Sequence, residues 1–214
     1  MFIFMGMENM TKNIETNVFK NILNVKSRTD FRNWLLKNCN IENECWAVVK
    51  AGKPIDDDGN LYYIHAVYEA MCFGWIDSVK KKIDNCVYQR FSPRKKNSHW
   101  SELNKARFLF LKDKGLMTEC GLKESPSFNF KIDDDFEKMI KSDEILFENF
   151  KHFPNLYKRI RICNIQQAKK NRQIFIKALN NFLQQTKKGK MYGNWDDYGV
   201  LQSYKDDPNF NFLF

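Results

Sequence analysis

The sequence contains few of the residues from which metal centres and covalent active sites are usually built. Its three histidines, His65, His99 and His152, stand far apart in the chain. Its cysteines form no Cys-x-x-Cys pair, and no glycine-rich phosphate loop or Ser–His–Asp arrangement is present. Because these chemistries need their groups at characteristic spacings, the sequence predicts no metal site, no cofactor and no nucleophilic triad.

Long apolar runs are also missing from the chain. None approaches the ~20 residues that a membrane-spanning helix requires. The apolar start MFIFMGM lacks the basic region and the cleavage site of a signal peptide. The six cysteines lie mostly inside apolar segments, as buried thiols do in a reducing compartment. We therefore expect a cytoplasmic protein without a membrane span and without disulfides.

Aromatic residues and positive charge are abundant. The 214 residues include 19 phenylalanines and are 43% hydrophobic, which favours a globular protein with an aromatic core. The net charge is +9, and it is concentrated. Residues 80–114 hold eleven Lys or Arg against three acids, and residues 154–190 hold ten cations and no acid. This distribution predicts positive faces that bind anions. The alternative is that acidic segments such as 133–148 lie against the basic ones.

Hydrophobic periodicity predicts an α+β fold in which a small antiparallel sheet, made of one strand and a hairpin, packs with helices and is followed by C-terminal helices. Residues 18–25 fit either a helical turn or a strand. The hairpin strands are expected at 75–82 and 86–92 with a turn at Asp84-Asn85, and the remaining strand at 44–50. Helices are expected at 30–39, 61–73, 102–114 and 116–122. A further helix is expected to begin after Asp133–Asp135, and another is expected to run from Pro154, as its first residue, to about residue 185.

The same pattern suggests four regions. Residues 1–17 are expected to be a flexible N-terminus and residues 18–128 an α+β core. Residues 129–190 form a helical region expected to pack on that core. Residues 191–214 are an aromatic and acidic tail, expected to dock on the body of the protein or on a partner.

Candidate site residues are concentrated in the segment 68–101. Glu69 and Asp77 stand eight residues apart across Gly74, and they are weak candidates for a general acid–base pair. Arg90 and Arg94 follow on the neighbouring strand and loop. Carboxylate–arginine pairs at such corners are more often structural than catalytic, so a structural or ligand-orienting network is the favoured interpretation.

A basic loop, residues 93–99, precedes the helix that Ser101 is expected to cap. Backbone N–H groups at a helix start, together with flanking cations, can bind an anion; the alternative is an ordinary solvated loop. Trp75 and Trp100 bracket the segment as stacking platforms or as core anchors. The residues expected to bind a ligand are Trp75, Asp77, Arg90, Arg94, Lys95, Ser98, Trp100 and Ser101.

The blocks YEAMCFGWIDS at 68–78, RFSPRKKNSHWSELNK at 90–105 and GLM at 115–117 resemble the YdeI/OmpD-associated family, also described as bacteriocin-protection proteins. The resemblance is strongest over 68–121 and extends more weakly over most of 27–190. The family's long helix often carries an AK…ETR pattern, whereas Ala168-Lys169 is followed here by KNRQI. A role that needs the acid and arginine of that pattern is therefore not expected.

The resemblance implies a small α+β domain with C-terminal helices in a bacterial protein linked to envelope defence. Some members have been predicted to be periplasmic. It implies no enzymatic activity and no cofactor.

Three hypotheses follow, in order of preference. The first is a non-catalytic binding or stress-protection protein with an anion-accepting pocket between the hairpin, the basic loop and the following helix. The second is a nucleic-acid-associated protein using the same basic faces. The third is an enzyme on a small anionic substrate with Glu69 or Asp77 as general base. The expected ligand is a phosphate-bearing small molecule or a nucleic acid.

Overall fold

A computed structural model describes residues 19–83 and 85–212. The expected flexible N-terminus and Asp84 of the hairpin turn lie outside the described residues. The chain divides into two compact units. The sheet unit comprises the described residues up to Asn97 together with Leu116–Glu124, and the helical unit comprises Ser98–Gly115 with the described residues from Ser125 onward. The division at 18–128 and 129–190 stays a prediction.

The described residues contain one four-stranded sheet and eight α-helices, which confirms the α+β class. The strands are β1 Ile22–Leu23, β2 Cys45–Val48, β3 Trp75–Ile83 and β4 Cys86–Pro93. The helices are α1 Arg28–Asn38, α2 Tyr63–Cys72, α3 Glu102–Asp113, α4 Glu119–Lys123, α5 Asp134–Lys141, α6 Glu144–Lys151, α7 Asn155–Ala168 and α8 Arg172–Lys187.

The strand order is β1-β2-β4-β3, so the sheet contains the expected strand and hairpin and one further strand. β4 runs antiparallel to both β2 and β3. The short β1 pairs in parallel with β2, which makes the sheet mixed and assigns part of the ambiguous segment 18–25 to a strand. A register shift between Asp77 and Lys80 interrupts the hairpin ladder.

One face of the sheet carries the core of the sheet unit. Cys45 pairs with Phe91 across the β2–β4 ladder, and Ala47 pairs with Gln89; all four are buried. The residues that precede and follow them in each strand point to the opposite face, because successive side chains of a strand alternate between the two faces. Phe31 of α1 is fully buried with its ring centroid 5.0 Å from that of Phe91. The amphipathic stripe of α1 therefore covers this face.

Two local signals in the sequence place the helix ends correctly. The Ser27 hydroxyl accepts a hydrogen bond from the Asp30 N–H at 3.0 Å, and the Asp30 carboxylate accepts one from Lys26 N–H at 3.2 Å. Both bonds satisfy donors at the helix start. Gly74 follows α2 with φ +73°, the left-handed conformation that favours glycine.

The helical unit differs from the sequence prediction at two breaks. The helix expected after Asp133–Asp135 is two helices, α5 and α6, because the Asp143 carboxylate accepts from Leu146 N–H at 3.0 Å and starts a new helix. The single helix expected from Pro154 to about 185 is also divided into two helices, α7 and α8. The Asn171 side chain accepts hydrogen bonds from the N–H groups of Gln173 and Ile174 and so starts α8. Pro154 itself is the cap before α7, not its first residue. Short polar side chains that bond nearby backbone N–H groups favour new helix starts over continuation.

The tail expected at 191–214 packs on the helical unit. Trp195, Leu201 and Phe210 are buried in the same core as the helices α5 to α8. Arg107 of α3 donates to both oxygens of Asp197, at 2.7 Å from Nε and 2.8 Å from Nη2, and both residues are buried. A buried bidentate ion pair fixes the orientation of its two partners. The described part of the tail is therefore an integral part of this unit.

Alanine should destabilise the protein more at Gly74, which follows α2, than at Gly115. A Cβ at Gly74 would lie 3.0 Å from the backbone oxygen of Cys120, whereas one at Gly115 would have no atom within 4 Å. Both glycines have positive φ, so alanine costs about 1–2 kcal/mol of backbone strain at either position. Gly74→Ala should lower the free energy of unfolding by at least about 1 kcal/mol more than Gly115→Ala, because a backbone oxygen cannot move aside cheaply.

Urea denaturation of the two variants measures this difference. Equal losses of stability in Gly74→Ala and Gly115→Ala would show that the close approach between residues 74 and 120 is absent.

Candidate functional site

Glu69 is a buried, fully paired carboxylate. It is 1% exposed. One oxygen accepts from Arg28 Nε, and the other accepts from Arg32 Nη1 at 2.6 Å. Arg32 also donates to the backbone oxygen of Leu116 at 3.0 Å. Both carboxylate oxygens are thus used in holding α1, α2 and the segment before α4 together, and this arrangement favours a structural role for Glu69.

Asp77 has a different partner. It lies on β3 and accepts a hydrogen bond from the Tyr63 hydroxyl at 2.7 Å. Tyr63 begins α2, so this bond ties the first turn of the helix to the strand. Glu69 and Asp77 therefore have separate partners, whereas an acid–base pair would need both to face one substrate.

The two tryptophans belong to different units. Trp75 is 3% exposed, and its indole N–H donates to the backbone oxygen of Cys39 at 3.1 Å. Its ring meets Trp34 edge to face at 5.8 Å. Trp100 is half-buried in the helical unit and meets Phe108 edge to face at 5.7 Å. Trp75 has little surface left on which a ligand could stack, so its contacts are those of a core anchor.

The two arginines of the segment also make contacts inside the sheet unit. Arg90 donates through Nε to Glu44 at 2.9 Å, and this hydrogen bond holds the pKa of Glu44 below its ordinary value. Arg94 is 8% exposed. Burial lowers its pKa, and the nearby carboxylates Glu124 and Asp77 oppose that effect. The Arg94 backbone N–H donates to the Gly74 oxygen at 2.9 Å, which ties the start of the basic loop to the end of α2.

The next two residues of the loop, Lys95 and Lys96, are exposed. Within residues 19–83 and 85–212, neither has a hydrogen bond or an ion pair to a protein group. Asn97 then turns the chain with φ +63°. Arg94 thus anchors the loop, and the two lysines carry its accessible charge.

Ser98 and Ser101 lie in the helical unit. The Ser101 hydroxyl accepts from Asn104 N–H at 3.2 Å, so Ser101 caps α3 as expected. Ser98 is half-buried. The eight residues expected to bind a ligand are therefore divided, with Trp75, Asp77, Arg90, Arg94 and Lys95 in the sheet unit and Ser98, Trp100 and Ser101 in the helical unit. That assignment stays a prediction.

The sequence analysis missed a cysteine–histidine pair in the helical unit. Cys163 Sγ lies 3.9 Å from His99 Nε2, and the Gln167 amide donates to the same sulfur at 3.2 Å. Burial raises the pKa of Cys163, which keeps the thiol neutral. The two residues are 64 positions apart, so no spacing motif could have identified the pair; only the i, i+4 relation of Cys163 and Gln167 is visible in the sequence.

The acid-free segment 154–190 is not one exposed basic face. Arg159 is 2% exposed and donates to Glu102 at 2.7 Å, and Glu102 also pairs with Lys105 at 2.6 Å. Further Arg159 bonds go to the backbone oxygens of Phe128 and Asn209. The acids that neutralise this part of the segment therefore come from elsewhere in the chain. The cations that remain exposed without an ion pair among the described residues are Lys170, Arg172, Lys177, Lys188 and Lys190.

A cleft of 640 Å³ opens in the sheet unit, at a place that no sequence motif indicated. Its lining includes Lys26, Lys50, Asn60, the exposed Cys86 and Val87. Lys50 is paired with Asp58 at 2.8 Å. Among the described residues, no three His, Cys, Asp or Glu side chains come together as metal ligands would. No described helix has the length and apolar character needed to cross a membrane.

Comparison with known proteins gave two family matches. Residues 129–189 match the family described as "Bacteriocin-protection, YdeI or OmpD-Associated". Residues 23–124 match a domain of unknown function, DUF8412. No curated protein and no solved structure matched the chain. The resemblance stated from the sequence is thus confirmed over α5 to α8, whereas the blocks at 68–78 and 90–105 lie within the other match.

The two candidate carboxylates should differ in their contribution to stability. Glu69→Gln removes a charge that two arginines share in a buried place, so we expect the free energy of unfolding to fall by about 1–3 kcal/mol. Asp77→Asn replaces the carboxylate that accepts from Tyr63 by a neutral amide whose oxygen can still accept that one hydrogen bond, so it should cost only about 0.5–1.5 kcal/mol. Urea denaturation gives both values. If Glu69→Gln costs no more than Asp77→Asn, the structural role assigned to the Arg28–Glu69–Arg32 contact is wrong.

Proposed function

We propose that this chain, in which residues 129–189 are a YdeI/OmpD-associated domain, is a non-catalytic protein that binds anionic ligands and protects the cell against bacteriocins or related stress. The observation that carries the proposal is a contrast within the segment 68–101. Glu69, Asp77, Arg90 and Arg94 are used in contacts inside the protein. By contrast, Lys95 and Lys96 are exposed and unpaired among the described residues.

The environment of the carboxylates supports a non-catalytic function. A general base must present a free lone pair to the proton that it removes. Glu69 has both oxygens in ion pairs with arginines, and Asp77 accepts from Tyr63. Glu69 therefore has no free oxygen, and Glu69 and Asp77 share no partner, so an enzymatic function is not the one we propose.

The basic loop supports the choice of ligand. Two unit charges 4 Å apart in water attract each other by only about 1 kcal/mol, so an exposed lysine binds a monovalent anion weakly. Two adjacent lysines on an anchored loop favour a ligand with several negative charges. We therefore propose a phosphate-bearing small molecule as the ligand of Lys95 and Lys96. The net charge of +9 raises the local concentration of such anions.

The test is calorimetric titration with inorganic triphosphate. The double variant Lys95→Ala/Lys96→Ala should bind at least tenfold more weakly than the unmodified protein, because both exposed charges are lost. Lys37→Ala/Lys53→Ala is the matched control: it removes the same charge from exposed positions elsewhere in the sheet unit and should change the affinity by less than twofold. Equal affinities of the two double variants would refute the site assignment.

The protective role is tested in cells. A strain that depends on this protein for survival under bacteriocin challenge should lose protection with Lys95→Ala/Lys96→Ala and keep it with Lys37→Ala/Lys53→Ala. Full protection by the first variant at normal protein levels would separate anion binding from the protective role.

Nucleic acid is the second candidate ligand, favoured by the five exposed cations of the segment 154–190 named above. A protein that neutralises several phosphates loses about 10³-fold in affinity or more between low and moderate salt. Filter binding of a single-stranded oligonucleotide at 50 and 200 mM salt measures this loss. Absence of binding at the lower concentration would exclude this candidate.

A further inference from the structure

The cleft of 640 Å³ in the sheet unit lies where the short strand β1 leaves the sheet. The β1–β2 ladder ends where Leu23 pairs with Ala47, and a parallel bridge between Lys50 and Tyr62 follows further along the chain. Between these two points no described strand pairs with this side of β2, so a cleft opens there. Its volume lies in the range of about 300–1,000 Å³ that is typical of pockets for small molecules.

The start of α1 explains why β1 is so short. The Lys26 N–H donates to the Asp30 carboxylate at 3.2 Å, and the Ser27 hydroxyl accepts from the Asp30 N–H at 3.0 Å. The backbone N–H of Lys26 is therefore used at the helix start and is not available to a ladder with β2. Residues 23–26 instead form part of the lining of the cleft.

The lining of the cleft includes a group of apolar side chains. Val49 and Leu61 are 5% and 2% exposed, and Val25 and Val87 are half-buried. The Val49 N–H donates to the Val87 oxygen and the Lys50 N–H donates to the Leu61 oxygen, both at 2.9 Å, so these backbone donors are already paired. A ligand that contacts this part of the lining gains chiefly from the burial of apolar surface.

The charged groups of the lining are two lysines, and the described lining residues include no carboxylate. Lys50 is paired with Asp58 at 2.8 Å. Lys26 is exposed, and its ammonium group forms no hydrogen bond and no ion pair with any residue of 19–83 and 85–212. The exposed amides of Asn24 and Asn85 also line the cleft. One unpaired positive charge therefore lies beside the apolar lining.

We propose that the cleft binds a small organic acid, whose aromatic or branched apolar body contacts the valines and leucines of the lining and whose carboxylate contacts Lys26. One accessible lysine matches a ligand with one negative charge, whereas a polyphosphate would need several cations. Because an exposed charge pair contributes little by itself, the apolar body supplies most of the affinity and Lys26 selects the acid. This inference does not depend on the role proposed for Lys95 and Lys96.

Three probes test the proposal on the full-length protein. Phenylbutyrate has both parts of the expected ligand, phenylbutanol has the same body without the charge, and acetate has the head group alone. Nitrogen–proton NMR follows the backbone signals of Val49 and Leu61 during each titration at constant ionic strength. We expect saturable shifts with phenylbutyrate, about threefold weaker binding of the alcohol, and no saturation with acetate. Absence of saturation by phenylbutyrate, equal affinities of the acid and the alcohol, or saturation by acetate overturns the proposal.

Lys26→Ala isolates the contribution of the charge. This variant should bind phenylbutyrate about threefold more weakly and phenylbutanol with unchanged affinity, because only the acid interacts with the ammonium group. Lys37→Ala removes the same charge from an exposed position of α1 outside the lining and should change neither affinity. A loss of affinity that is equal for the acid and the alcohol, or no loss for the acid, in Lys26→Ala contradicts the assignment.

Cys86 gives an independent measure of occupancy. It is exposed and lines the cleft, whereas Cys39 and Cys120 are half-buried and lie outside the lining. Bound phenylbutyrate should slow the alkylation of Cys86 by iodoacetamide about threefold or more, because most of the surface of a bound ligand is buried against its pocket. The alkylation rates of Cys39 and Cys120 should not change. Mass spectrometry of the digested protein gives each rate, and absent or uniform protection overturns the proposal.

The result is separable from the test of the basic loop. Lys95→Ala/Lys96→Ala should leave the phenylbutyrate titration unchanged, and Lys26→Ala should leave triphosphate binding by the two loop lysines unchanged. Either proposal can therefore fail without the other. If the double lysine variant abolishes phenylbutyrate binding, the cleft is not the site and the inference is wrong.

Discussion

The sheet unit depends on one buried carboxylate. Glu69 lies inside the unit and accepts from Arg28 and Arg32 of α1, while Arg32 continues to the backbone at Leu116. A carboxylate placed in a buried position without these cations would have to be neutralised or expelled. The ion pairs therefore require α1, α2 and the segment before α4 to come together in one arrangement. The close approach of Gly74 to Cys120 then follows from that arrangement.

The distribution of charge between buried and exposed positions decides which functions the chain can have. Glu69, Asp77, Arg90 and Arg94 stand in a sequence block that has the composition of an active site. Each of them nevertheless forms a hydrogen bond inside the sheet unit. In the helical unit, Glu102 and Asp197 satisfy Arg159 and Arg107 in the same way. Charges that remain exposed are then the ones available to a ligand.

Local signals in the sequence predicted the elements well where one residue controls the backbone. Ser27 and Ser101 cap α1 and α3, and Gly74 ends α2, because each acts on hydrogen bonds or dihedrals within a few residues. The same reasoning missed the breaks at Asp143 and Asn171, where apolar periodicity continues across a cap and suggests one helix. A capping side chain competes with helix continuation, and the outcome depends on how the following turn packs.

The sequence by itself determined the α+β class, the hairpin, and the resemblance that the family match confirms over residues 129–189. These follow from periodicity and short motifs, which act over a few residues. Only the tertiary structure decided which charges are paired, because Glu102 and Arg159 are 57 positions apart and Arg107 and Asp197 are 90 apart. Likewise, only the fold brings the Arg161 guanidinium over the ring of Tyr192. Pairing across such separations depends on where helices turn and pack, and no local pattern encodes it.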